Sequence, residues 1–165
     1  MTTKGGASDF ATVVEICRGL GSYCLLGGLA VNCYVEPVYT LDADFAVIAS
    51  QMPALEGQLV ARGFSVRTFP HSLNAQAPES ELRIQFSTDP RYQAFLDRAQ
   101  EREVLGISVR VATLEDVVQG KLWAYSDPQR RLSKRKKDEL DLFRLAEAYP
   151  AVRSKFPEEI RRLLE

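Results

Sequence analysis

Asp42 and Asp44 stand two residues apart in the apolar run LDADFAV, residues 41–47, and Gly27 and Gly28 close the apolar run YCLL, residues 23–26. Read as a strand, residues 41–48 send alternate side chains to opposite faces. Leu41, Ala43, Phe45 and Val47 then share one face, and Asp42 and Asp44 share the other, ~7 Å apart along the strand. Two carboxylates on one strand face repel each other. A divalent cation between them removes that cost. Mg²⁺ suits the role, because it takes one or two carboxylates and completes its shell with water and substrate phosphates. The glycine pair falls where the strand gives way to a helix. Glycine lets a phosphate approach the backbone, and a helix N-terminus offers free N–H donors. A glycine pair alone is usually a turn, and two spaced aspartates are common on loops. Together, in this order, they are the parts for phosphoryl or nucleotidyl transfer.

Other polar residues lie where they could serve such a site. Lys121 falls on or beside the apolar stripe of a helix carrying Leu114, Val117, Val118, Leu122 and Tyr125. A buried lysine needs an anion, so Lys121 either snorkels to water or meets phosphate. Asp138 and Asp141 are three apart, share a helix face with Leu142 and Leu145, and point toward the core. They either position Lys121 or line the pocket, with helix capping an equal reading for Asp138. The run RRLSKRKK, residues 130–137, holds six basic residues in eight. Such a run is most often a solvated loop, although it could hold phosphates or RNA. His71 stands alone in a polar loop with no second histidine to complete a metal site.

The elements that must position these residues follow from periodicity and breakers. Residues 1–7 read as a flexible start. Ser8 or Asp9 then caps a helix that ends at Gly19 and Gly21. A strand at 23–26 leads into a helix at 29–35, stopped by Pro37. A strand at 41–48, a helix at 53–62 and a strand at 64–69 come next. Residues 70–80 read as a polar loop, 81–87 as a strand and 90–99 as a helix. Residues 103–105 and 107–111 straddle Gly106 as a tight hairpin. Thr113 opens a helix in a capping-box pattern with Asp116. A basic loop precedes a helix at about 134–149, and Pro157 begins a last short helix. This interleaving predicts an α/β fold with a mixed β-sheet flanked by helices and closed by C-terminal helices.

The 165 residues suit one compact domain, 45% hydrophobic and 26% charged, with a net charge of -1. That balance excludes a disordered chain and gives no global field for nucleic acid or membrane. The longest apolar stretch, residues 23–35, is too short to span a bilayer. No signal peptide is visible. Cys17, Cys24 and Cys33 are odd in number and have apolar neighbours, which predicts reduced structural thiols in a cytosolic protein.

The stretch LLGGLAVNCYVEPVYTLDADFAV resembles the signature of the polymerase-β-like nucleotidyltransferase superfamily, and most closely the small abortive-infection AbiEii-type members. Gly27, Gly28, Ala30, Val31, Thr40, Asp42 and Asp44 match that signature. VRVATLEDVVQGKLWAYSD is similar to the family's strand–helix segment with a lysine, and KKDELDLFRL to its Lys-Asp-x-x-Asp helix. The likeness covers residues 23–145. It implies a nucleotidyltransferase fold, Mg²⁺ held by Asp42 and Asp44, and a nucleoside triphosphate bound by Gly27, Gly28, Thr40, Lys121, Asp138 and Asp141. It also implies an acceptor that is an RNA end, a protein or a small molecule, and a toxin–antitoxin setting with a partner protein. Two positions depart from the pattern. Val38 replaces an arginine, and Gln85 stands where a third acid is expected on a later strand; Glu81 and Asp89 are near but out of register. The alternative is therefore a weak or inactive member acting as a nucleotide-binding or interaction module. The added helical region of the larger toxin-type relatives finds no place in this length.

Overall fold

The computed structural model describes residues 6–165. Helix α1 (Gly6–Leu20) is followed by strand β1 (Tyr23–Leu26), a short helix α2 (Gly27–Val31) and strand β2 (Asp42–Val47). Helix α3 (Met52–Ala61), strands β3 (Ser65–Phe69), β4 (Ser72–Gln76) and β5 (Arg83–Ser87), and helix α4 (Gln93–Arg98) come next. The chain continues through β6 (Gln100–Val104), β7 (Ile107–Val111), α5 (Leu114–Ser126), α6 (Leu132–Ala148) and α7 (Glu158–Leu163). Among the described residues the strands form one seven-stranded mixed sheet in the order β3-β4-β5-β2-β1-β7-β6. β2 lies at its centre, antiparallel to β1 and parallel to β5. The expected α/β fold with a mixed sheet and C-terminal helices is the observed one.

The alternation of β2 anchors it. Ala43, Phe45 and Val47 are buried, and the Phe45 ring stacks between Phe10 of α1 and Phe86 of β5, with centroids 5.8 and 5.5 Å away. The opposite face carries Asp42 and Asp44, so core packing on one side fixes the direction of the acids on the other. The β6–β7 hairpin turns through Leu105 and Gly106, both at positive φ, as a two-residue turn requires. Thr113 Oγ1 accepts from the Asp116 N–H at 3.2 Å and caps α5, while the Asp116 carboxylate pairs with Arg98. No described helix is long and apolar enough to cross a membrane.

Four local expectations are corrected. The flexible start lies outside the described residues for 1–5, and residues 6 and 7 already belong to α1, so Ser8 and Asp9 sit in its first turn instead of capping it. The polar loop at 70–80 contains β4, which pairs with both β3 and β5 and buries Leu73 and Ala75. Helix α2 ends at Val31, not near Val35, because the Asn32 side chain brackets Val38, donating to its carbonyl and accepting from its N–H. Helix α6 begins at Leu132, so much of the basic run is helical.

Candidate functional site

Asp42 and Asp44 face the same cavity, a space of about 700 Å³ also lined by Gly28, Thr40 and Lys121. The parallel β2–β5 register sets Arg83 beside Asp42 and Gln85 beside Asp44. Gln85 thus stands on the acids' face at the position of the expected third carboxylate. A second cavity of about 250 Å³ also borders Asp44, with Gln85, Ser87, Asp89, Tyr92 and Gly120 in its walls. Asp44, Gln85, Lys121, Arg130 and Asp138 border both spaces. Glu81 borders neither. Asp89 reaches the smaller one, but its carboxylate is engaged by the Arg91 side chain.

The two glycines differ in what they do. Gly27 has φ +67°, and a Cβ there would lie 2.3 Å from Asp44 Oδ2. Only glycine lets β1 turn while the acid lies against the backbone. A Cβ at Gly28 would meet the Thr40 hydroxyl at 3.6 Å, an ordinary contact, so Gly28 keeps the cavity wall low without being demanded by the fold. Thr40 is buried, and its Oγ1 accepts from the Asp42 N–H at 3.2 Å. Its observed work is to set the first residue of β2.

The two acids have different surroundings. Asp42 Oδ1 accepts from Arg83 Nε at 2.8 Å and Oδ2 from Lys134 Nζ at 3.2 Å. Burial pushes its carboxyl up, but the two cations outweigh burial and hold it below the ordinary value. Asp44 is raised by burial and by neighbouring Asp42, against the pull of Lys121, Arg130 and Lys134. No hydrogen bond is among the influences on Asp44.

Lys121, 8% exposed, does not snorkel to water. Its ammonium lies 3.2 Å from Asp138 Oδ1 and 2.8 Å from Asp141 Oδ2, the second contact being ionic without hydrogen-bond alignment. Burial lowers the Lys121 pKa, but Asp141 and Asp138 outweigh it and the net shift is upward. Asp138 also receives Arg130 at 2.7 Å, and Asp141 receives Arg144 at 2.8 Å. Asp138 lies well inside α6, so it does not cap the helix. Both acids are partners of Lys121, and Asp138 also lines the two cavities.

The sequence offered Arg130 and Lys134 only as part of a basic run for phosphates or RNA, and the ion pairs of Arg83, Arg130 and Lys134 with the site's aspartates went unforeseen. Part of the signal was there: Arg83 is two residues from Gln85 on an alternating strand, and Lys134 and Asp138 are four apart on one face of α6. The basic run is not a plain solvated loop, since Arg130 and Lys134 reach Asp138 and Asp42. His71 is exposed in the β3–β4 turn.

Among the described residues no group of three or more His, Cys, Asp or Glu side chains is arranged to hold a metal ion. The two aspartates still fit a single divalent cation such as Mg²⁺ that arrives with phosphate ligands, because Asp44 faces two cavities with no hydrogen-bond donor on its oxygens among the described residues. The Gln85 amide oxygen can add a neutral ligand. A second metal would have too few carboxylates.

The fold has solved relatives. The structure of ANT(2'')-Ia, an antibiotic-resistance factor, matches with a TM-score of 0.61 at 17% identity, covering 96% of this chain and 94% of that one. An antigenic nucleotidyltransferase-like protein from Paracoccidioides brasiliensis matches with a TM-score of 0.60 at 16% identity, covering 89% and 78%. The lincosamide antibiotic adenylyltransferase LnuA, solved with lincomycin, matches with a TM-score of 0.59 at 13% identity, covering 87% and 98%. At these identities the likeness is one of fold. A comparison with curated proteins finds no match. The family described as "Nucleotidyl transferase AbiEii toxin, Type IV TA system" matches residues 22–165. That span takes in both glycines, both strand acids and the lysine–aspartate network, and the chain therefore belongs to the AbiEii nucleotidyltransferase family.

Proposed function

We propose that residues 1–165 act as a single nucleotidyltransferase domain that moves a nucleoside monophosphate from a triphosphate to an acceptor hydroxyl. The observation that carries this reading is the pair Asp42 and Asp44, presented on one strand face into a cavity large enough for a nucleotide and rich in cations. Asp42 and Asp44 would hold a Mg²⁺, which would neutralise charge on the phosphates and polarise the phosphorus under attack. Gly28 leaves room for the phosphate chain in the larger cavity, and Gly27 lets the chain turn beside Asp44 at the edge of the smaller one. Thr40 fixes Asp42. Asp138 and Asp141 keep Lys121 charged and stationary, so its field adds to the cavity's attraction for a triphosphate.

In-line displacement needs the acceptor and the leaving group on opposite sides of the α-phosphorus. Asp44 walls both cavities, so the larger takes the triphosphate and the smaller admits the acceptor hydroxyl. Its oxygen forms a bond to the α-phosphorus, the bond to the α–β bridging oxygen breaks, pyrophosphate leaves, and the hydroxyl proton passes to water. The acceptor is an RNA end, a protein side chain or a small molecule, and a partner antitoxin accompanies a toxin role. The three unpaired thiols suit the cytosol.

Gln85 favours a second reading, a member that binds nucleotide and transfers slowly or not at all. A carboxylate in its place would accept the acceptor's proton, an assistance worth roughly 10²- to 10⁴-fold in rate. Incubation with α-labelled triphosphates of all four bases and total cellular RNA or protein tests the reading. Label transfer that is slow in wild type and faster in Gln85→Asp is expected. Binding without transfer in either protein selects the module reading.

A further inference from the structure

We infer that Lys134 is an exchangeable counterion of the site: its ammonium occupies Oδ2 of Asp42 until a metal arrives, and then moves onto the triphosphate. The inference rests on the metal–nucleotide reading above.

The cations of the large cavity fall into two groups by what holds them. Lys121 is locked between Asp138 and Asp141, and Arg130 is bound to Asp138. Asp138 and Asp141 are buried and each holds more than one cation, so they keep their partners whether or not a ligand is present. Arg83 and Lys134, in contrast, each contact Asp42 and no other acid among the described ion pairs. Between them they take both Asp42 oxygens. A cation entering the pair finds Asp44 without a donor and Asp42 doubly engaged, so it must displace one of the two.

Lys134 is the one that leaves. Its contact is longer, 3.2 Å against 2.8 Å for Arg83. Arg83 sits beside Asp42 in the strand register and holds Oδ1 through Nε. Lys134 reaches across from the first turn of α6 on a flexible stem, as a point charge whose donors rotate. Once displaced it remains in the cavity beside Lys137 and Arg67, where the incoming charge is phosphate. Metal and triphosphate binding are thereby coupled through one side chain, which opposes metal alone and favours the polyphosphate.

Opposite effects on two ligands test the exchange. Free Mn²⁺ is counted by electron paramagnetic resonance during titration with protein alone. Inorganic tripolyphosphate is titrated calorimetrically with Mn²⁺ at a concentration that saturates the protein. Lys134→Met is expected to bind Mn²⁺ about fivefold more tightly and tripolyphosphate about fivefold more weakly, the worth of a partly exposed ion pair. Lys136→Met removes the same charge from an exposed position paired with Glu139, and is expected to move neither affinity by more than about twofold. Weakening of both ligands, or no change in Mn²⁺ affinity, in Lys134→Met overturns the exchange while leaving the functional reading standing. Wild-type protein that binds neither Mn²⁺ nor tripolyphosphate overturns both.

Discussion

Gly27 and Asp44 share one space, and that sharing sets what position 27 tolerates. A methyl group at 27 would meet Asp44 Oδ2 at 2.3 Å in a backbone conformation of φ +67°. Gly27→Ala is expected to cost about 1–3 kcal/mol, the range for a side chain forced into a strained region, and to displace the carboxylate. Gly28→Ala meets only an ordinary contact with Thr40 and is expected to unfold within about 0.5 kcal/mol of wild type. Chemical denaturation of both variants checks the contrast, and equal losses would count against it. Lys121 makes a second residue-level case. Lys121→Met leaves Asp138 and Asp141 buried, each with one arginine in place of its full set of partners. A loss of about 3 kcal/mol is expected, as for breaking a buried ion pair. The double variant Lys121→Met/Asp141→Leu is expected to recover part of it. A single variant as stable as wild type would show that the arginines alone suffice.

At the scale of elements, β2 joins core to site. Its inner face carries Phe45, stacked on Phe10 and Phe86, and its outer face carries the acids. Phe45→Ala is expected to cost about 3–5 kcal/mol and to lower the thermal midpoint measured by calorimetry; a loss under 1 kcal/mol would mean that the strand is held elsewhere. β2 was legible because the alternation is clean and the aspartates have no place on a core face. β5 was legible for the same reason, and its register delivered Gln85 to Asp44. β4 was not, because only Leu73 and Ala75 mark its inner face and the Pro70–His71 turn and Asn74 read as loop. The start of α6 was hidden by charge: a run of lysines and arginines looks solvated until Asp42 and Asp138 are brought to it across the fold. Partners distant in sequence leave no local period, so Lys121 was legible as a buried charge and its companions only in part.

At the scale of the whole molecule, burial sets how stability responds to pH. Burial pushes the thiols of Cys17 and Cys24 up to about 12, from 9.0. Below pH 9 both stay protonated whether folded or unfolded, and that stability is fully present. Between about pH 9 and 12 the unfolded thiols ionise while the folded ones do not, so stability falls with slope up to about 1.4 kcal/mol per pH unit per thiol. Urea denaturation from pH 8 to 10.5 is expected to show a shallower fall in Cys17→Ala/Cys24→Ala; parallel curves would contradict the assignment. The same whole-molecule view sets the chain's net charge of -1 against a cavity lined by six basic side chains and three acidic ones. The charge is concentrated where a triphosphate and its metal would sit. The most direct measurement is calorimetric titration of nucleoside triphosphates into wild type and Asp44→Asn, each with Mg²⁺ and with chelator. Mg²⁺ is expected to tighten wild-type binding by about tenfold or more, the differential of one well-placed metal contact, and to have no effect on a folded Asp44→Asn. Equal Mg²⁺ dependence in the two proteins, or no triphosphate binding by wild type, would contradict the account.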